Sequence, residues 1–154
     1  MPAQHRCLSP LLQFVSMCLL VVSAQAWSQK QSANQTDFDQ YTVHHVIFNS
    51  TFILPEVAKA YNIKRSKYES LINVSVNKKG QFNGQKASLS GTVTNLMQQQ
   101  KQLKFIEIRE ANATYYLAPI RVGSEEVVHI KLSVTPQGQP KPFDVTFSQK
   151  IYPD

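Results

Sequence analysis

Ala87-Ser88-Leu89-Ser90-Gly91-Thr92-Val93-Thr94 is the stretch that decides the fold. Ala87, Leu89, Gly91 and Val93 alternate with Ser88, Ser90, Thr92 and Thr94, and a period of two sends successive side chains to opposite faces of a sheet. One face of such a strand is apolar and the other wet. Downstream, Val128, Ile130, Leu132 and Val134 alternate with His129, Lys131 and Ser133 in the same way. Upstream, Ile72, Val74 and Val76 alternate with Asn73 and Ser75.

Working outward on this pattern, strands are predicted over 41–48, 70–76, 87–94, 103–109, 114–122 and 126–134, with a last one from Phe143 through Val145 and Phe147. Lys78, Lys79 and Gly80 read as part of a reverse turn, and 98–102 reads as a polar loop. A short helix is predicted over 55–61. Pro55 suits its first position, Glu56 favours the positive end of its dipole, and Val57, Ala60 and Tyr61 form its apolar stripe. Asn62 can end it in a left-handed turn. Seven strands at this spacing with one helical insertion predict an all-β, immunoglobulin-like β-sandwich, with a small closed barrel as the alternative. Their polar faces do not fit an outer-membrane barrel.

Both cysteines, Cys7 and Cys18, lie in what reads as a cleavable signal peptide over 1–26. It has a positive start at Arg6, an apolar stretch over 11–22 interrupted by Gln13 and Ser16, and small residues at Ala24 and Ala26 before the predicted cut. The apolar stretch is shorter than the roughly 18–20 residues that a membrane span needs. Residues 27–37 hold few apolar side chains and read as a flexible leader, with the β-sandwich domain over 38–154. A small exported domain without disulfides fits a bacterial envelope, so the expected location is the periplasm, with no membrane span after signal cleavage. Four N-glycosylation patterns, at Asn34, Asn49, Asn73 and Asn112, read as coincidence in a chain rich in Asn, Ser and Thr.

The chain of 154 residues carries 16 Lys and Arg against 10 Asp and Glu. The basic residues are scattered apart from two small groups, Lys64, Arg65 and Lys67, then Lys78 and Lys79. Nucleic-acid binders concentrate such charge on one face, so no nucleic-acid partner is expected. An envelope protein or a polyanionic envelope component is the expected partner class.

Candidate chemistry is sparse. His44, His45 and His129 are the metal-ligand candidates, but neighbours on a strand point to opposite faces, so His44 and His45 cannot close on one ion from one side. No Gly-x-Ser-x-Gly elbow, His-Glu-x-x-His helix or glycine-rich phosphate cradle occurs. The expectation is therefore no catalytic residues and no cofactor. Tyr115 and Tyr116 are candidates for a stacking platform, against the ordinary reading in which such neighbours split between faces and fill the core. Around Phe48-Asn49-Ser50-Thr51-Phe52, short polar residues can hydrogen-bond the backbone where strand gives way to helix. Asn49, Arg65 and Lys67 are the binding candidates there, the two cations suited to a carboxylate or phosphate.

The same residues carry a resemblance. Phe48-Asn49-Ser50-Thr51-Phe52, Pro55-Glu56-Val57-Ala58-Lys59-Ala60-Tyr61, Arg65-Ser66-Lys67, Asn73-Val74-Ser75-Val76, Ser90-Gly91 and Tyr115-Tyr116-Leu117-Ala118 resemble a family of small exported gammaproteobacterial proteins known as domain of unknown function 4426. The likeness runs from about residue 38 to 153. It implies an all-β envelope protein and brings no activity or catalytic residues. Together these readings point to a non-enzymatic periplasmic binding module, with a metal-binding or metal-dependent hydrolytic protein using His44, His45 or His129 as the alternative.

Overall fold

The computed structural model describes residues 34–154; the expected signal peptide over 1–26 and the first part of the expected leader lie outside them. Among the described residues, nine strands form two antiparallel sheets. β1 (Gln35–Asp37), β2 (Tyr41–Asn49), β3 (Glu69–Lys78), β7 (Ala113–Arg121) and β6 (Ile106–Glu110) make the first, in the order β1-β2-β3-β7-β6. β5 (Gln100–Gln102), β4 (Ala87–Asn95), β8 (Glu126–Pro136) and β9 (Phe143–Ile151) make the second, in the order β5-β4-β8-β9. No ladder joins them, so the all-β sandwich holds and the closed-barrel alternative is set aside.

Alternation builds the core as expected. Val43 from β2, Ile72, Val74 and Val76 from β3, and Ile130 and Val134 from β8 are fully buried between the sheets. Each such side chain contributes about 1.5–3 kcal/mol by leaving water. With no cysteine among the described residues, this apolar contact is what holds the sheets together.

A second, smaller cluster lies on the far side of the first sheet. There Ala58 of helix α1 (Pro55–Ala60) packs with Ile63, Leu71, Ile108 and Leu117. The helix closes in a tight cap: Asn62 takes φ +53°, and the amide of Ile63 reaches back to the Ala58 carbonyl at 2.8 Å. Because the helix has only six residues, its buried face centres on Ala58, not on the expected Val57, Ala60 and Tyr61 stripe, and Ala60 is exposed.

Three boundaries differ from the sequence-based expectation. The fold begins at Gln35, inside the expected leader, because 35–37 pair with β2 as an edge strand, Thr36 opposite Val43. Gln100–Gln102 is a strand where a loop was expected; all three residues are exposed on the sheet edge, so no inside-outside alternation marks them. The expected strand over 103–109 begins only at Ile106. Leu103 is tied to the second sheet by its amide, 2.9 Å from the Gly91 carbonyl, and the chain then crosses to the first.

Gly84 marks a close crossing. An added Cβ there would lie 1.9 Å from the Thr114 carbonyl oxygen, so only glycine lets the β3–β4 connection run directly over β7.

Candidate binding face

Antiparallel register brings one set of ladder ends together. Asn49 opposite Ser70, Glu69 opposite Arg121, Asn95 opposite Val128 and Glu126 opposite Ile151 all finish at the same end of the sandwich. The sequence-predicted binding residues Asn49, Arg65 and Lys67 meet there. In each case the structure gives the group a local task. The Asn49 side-chain oxygen accepts from the Ser70 hydroxyl at 3.2 Å, and the Arg65 guanidinium donates to the Thr51 carbonyl at 2.8 Å. Lys67 places its ammonium 4.9 Å from the Tyr68 ring centre, while its carbonyl accepts from the Asp154 amide at 2.9 Å.

Ser50, fully buried, is the pin of this corner. Its hydroxyl donates to the Ser66 carbonyl at 3.1 Å and accepts from the Ser66 amide at 2.9 Å. Thr51 donates its hydroxyl to the Asp154 carboxylate, tying the chain's last described residue to the same place. Short polar residues thus satisfy backbone groups where β2 turns out of the sheet, as sequence reasoning anticipated.

Phe52 and Leu54 are left in water by that geometry. Of the eight large hydrophobic residues most exposed among the described ones, Phe52, Leu54, Tyr68, Leu96, Met97 and Tyr152 lie at this end; Val46 lies mid-strand and Phe82 at the opposite end. Leu96 and Met97, 64% and 74% exposed, sit on the β4–β5 turn. Asn95 holds that turn shut: its side chain donates to the Gln99 side-chain oxygen and accepts from the Gln99 amide, both at 2.9 Å. Phe52 and Tyr152 line one shallow hollow at this end, and a second of about 240 Å³ opens between the two sheets.

The remaining candidates do not converge. Tyr116 is a core residue, 4% exposed, whose hydroxyl accepts the Ala87 amide at 2.8 Å across the sandwich. Burial raises its pKa. Tyr115 faces the helix side, where burial and its hydrogen bond to Glu110 push its phenol to about 12. The pair therefore makes no common stacking platform. His45 points between the sheets, 2% exposed, and stacks on Phe147; burial, then the neighbouring His44, lower its pKa to about 4. His44 faces the opposite side of its strand. His129 faces out from the second sheet, its Nδ1 2.7 Å from the Ser148 hydroxyl. Among the described residues, no three His, Cys, Asp or Glu side chains are gathered to hold a metal. No described helix is long and apolar enough to cross a membrane.

Sequence reasoning missed the exposed apolar set. Its members come from four separate stretches and reach the same end only through register, so no local motif announces them.

The sequence matches the family model described as Domain of unknown function (DUF4426) over residues 35–154. A solved DUF4426 family protein from Pseudomonas aeruginosa is similar, with 31% identity and a TM-score of 0.72, over 78% of this chain and 94% of that one. FetP of uropathogenic Escherichia coli, expressed recombinantly in the E. coli periplasm, shares the fold at 14% identity and a TM-score of 0.55, over 79% and 94% of the two chains. A copper-bound FetP variant is similar at 13% identity and a TM-score of 0.56, over 78% and 94%. No protein of curated function matches.

Proposed function

Because this chain belongs to the DUF4426 family, for which no activity is assigned, we propose from its geometry that it is a non-enzymatic binding module of the bacterial periplasm. Its binding face is the end of the sandwich that carries Phe52, Leu54, Tyr68, Leu96, Met97 and Tyr152. The observation that carries this reading is that six of the eight most exposed large hydrophobic residues among the described ones lie at one end, against Phe82 at the other. Exposed apolar patches mark contact sites, and this end holds most of the exposed large hydrophobic side chains among the described residues. The partner is a protein or other component of the envelope. Export rests on the signal features at Arg6, 11–22, Ala24 and Ala26.

The copper of the FetP variant lends no support to a site shared by His44, His45 and His129 in this chain. His44, His45 and His129 stand respectively outside the first sheet, between the sheets, and outside the second, so one ion cannot be shared among them.

The test is photo-crosslinking in living cells, with a benzophenone amino acid at position 97 or at position 82. Adducts to a discrete envelope component from position 97, and none from position 82, are expected. Equal labelling from both, or none from position 97, overturns the reading.

A further inference from the structure

β9 is a long strand with one side open. It stands last in the order of the second sheet, and its nine residues include neither glycine nor proline. The other edge strands, β1, β5 and β6, have three, three and five residues, and short edges are one way in which sheets avoid unwanted pairing.

Hydrogen-bond parity fixes which groups face that open side. The Gln137 amide donates to the Lys86 carbonyl at 2.8 Å, in line with the β4–β8 register, and bonded pairs alternate with unbonded ones along an antiparallel ladder. Odd-numbered residues of β8 therefore bond β4, and the even-numbered Val128, Ile130, Leu132 and Val134 bond β9. Their partners are Gln149, Phe147, Val145 and Phe143. Asp144, Ser148 and Lys150 alternate with these and turn their amides and carbonyls the other way, where no strand follows among the described residues. The side chains of the three are exposed on the outer face. On the inner face Phe143 and Phe147 are only half-buried, whereas their β8 partners Val134 and Ile130 are fully buried, so an added strand would cover the two rings.

β1 decides what can lie there. β2 stacks on β9 through His45 and Phe147, and β1 pairs with the outer side of β2, so the first sheet projects past β9 by one strand. A second copy docked through its own β9 would bring its β2 into the place that β1 holds. A lone extended segment brings nothing there.

We propose that the β9 edge binds an extended segment of a partner protein, added antiparallel as a fifth strand of the four-stranded sheet. Read from its N-terminus, the segment carries an acid opposite Lys150, small hydroxyls at its centre and a cation opposite Asp144, with apolar residues between them turned inward beside Phe147. Lys150 also meets Glu125, in an exposed pair that water screens. This surface is separate from the apolar end, and position 97 reports on that end alone.

β9 itself has the required order, Asp144, Thr146, Ser148 and Lys150 around Val145 and Phe147, so the probe is a capped synthetic peptide of residues 143–151. Centred on Phe147, it sets its own acid against Lys150 and its own ammonium against Asp144. Saturable amide shifts at Asp144, Ser148 and Lys150 of the protein are expected. N-methylation of the peptide at 146 and 148, whose amides face the protein, should abolish them, and N-methylation at 145 and 147 should not. A peptide with its acid and base exchanged should bind about fivefold more weakly, and the protein carrying both Asp144→Lys and Lys150→Asp should restore it. Both positions are exposed, so the exchange does not threaten folding. Absence of saturable shifts, equal binding of the two methylated forms, or indifference to the charge exchange overturns the proposal. So does a dimer of the protein alone with slowed exchange at the Asp144 and Ser148 amides, which gives the edge to a second copy. Peptide binding without crosslinks from position 97 sinks the apolar-end reading alone, and the converse sinks this one alone.

Discussion

His45 lies flat against Phe147, ring centres 3.9 Å apart and planes 18° apart, joining β2 of one sheet to β9 of the other. The ring is buried and its Nε2 has no partner among the described residues, so the fold accepts imidazole only in its neutral form. A second proton on it would sit against an aromatic face between two sheets, with no anion beside it.

Stability should therefore fall in mild acid. The folded pKa of about 4 lies below the ordinary 6.5, so the unfolded chain takes up a proton that the folded one refuses between those values. The stabilising contribution is complete above pH 6.5 and is lost as pH falls towards 4, about 2–3 kcal/mol of it between pH 7.5 and 4.5. Urea unfolding at pH 7.5 and 4.5 measures it. His45→Phe, which keeps the stack and removes the titrating group, should flatten the dependence; an unchanged slope in that variant would refute the assignment.

Tyr116→Phe should destabilise by about 1–3 kcal/mol, since it leaves the buried Ala87 amide without its acceptor. The loss should appear as a lower denaturation midpoint with an unchanged m-value. Ala87 begins β4, so its amide should also exchange faster with deuterium.

Gly84→Ala should cost about 2 kcal/mol or more, because the new methyl would strike the Thr114 backbone oxygen. Gly123→Ala meets nothing within 4 Å and should stay within about 0.5 kcal/mol of the parent. Thermal unfolding of the two variants side by side checks both expectations.

Much of this architecture was legible in advance, and the elements show why. β4 and β8 announce themselves through alternation, since one face is buried and the other is not. The α1 helix was marked by Pro55 and Asn62, whose roles are local. β1 and β5 escaped because three-residue edge strands carry too few side chains to show a period. For the site, the corner of Asn49, Arg65 and Lys67 was found by its short polar residues. The exposed apolar residues at the same end were not, because 52–54, 68, 96–97 and 152 are distant in sequence and reach that end only through strand register.

Ser50→Ala should loosen that corner without unfolding the sandwich. The hydroxyl bonds both the amide and the carbonyl of Ser66, and its loss leaves a buried carbonyl and amide unmatched, about 1–3 kcal/mol. Hydrogen exchange should quicken at Ser66 while β3 and β8 amides remain protected. Global acceleration would show that the corner is integral to the core.

The closed turn beneath Leu96 and Met97 has a kinetic consequence. Its backbone is already held by Asn95 and Gln99 before any encounter, so a partner meets a finger whose shape is set in advance. Association through it should proceed in a single bimolecular phase whose rate rises linearly with partner concentration, with no plateau from a slow rearrangement.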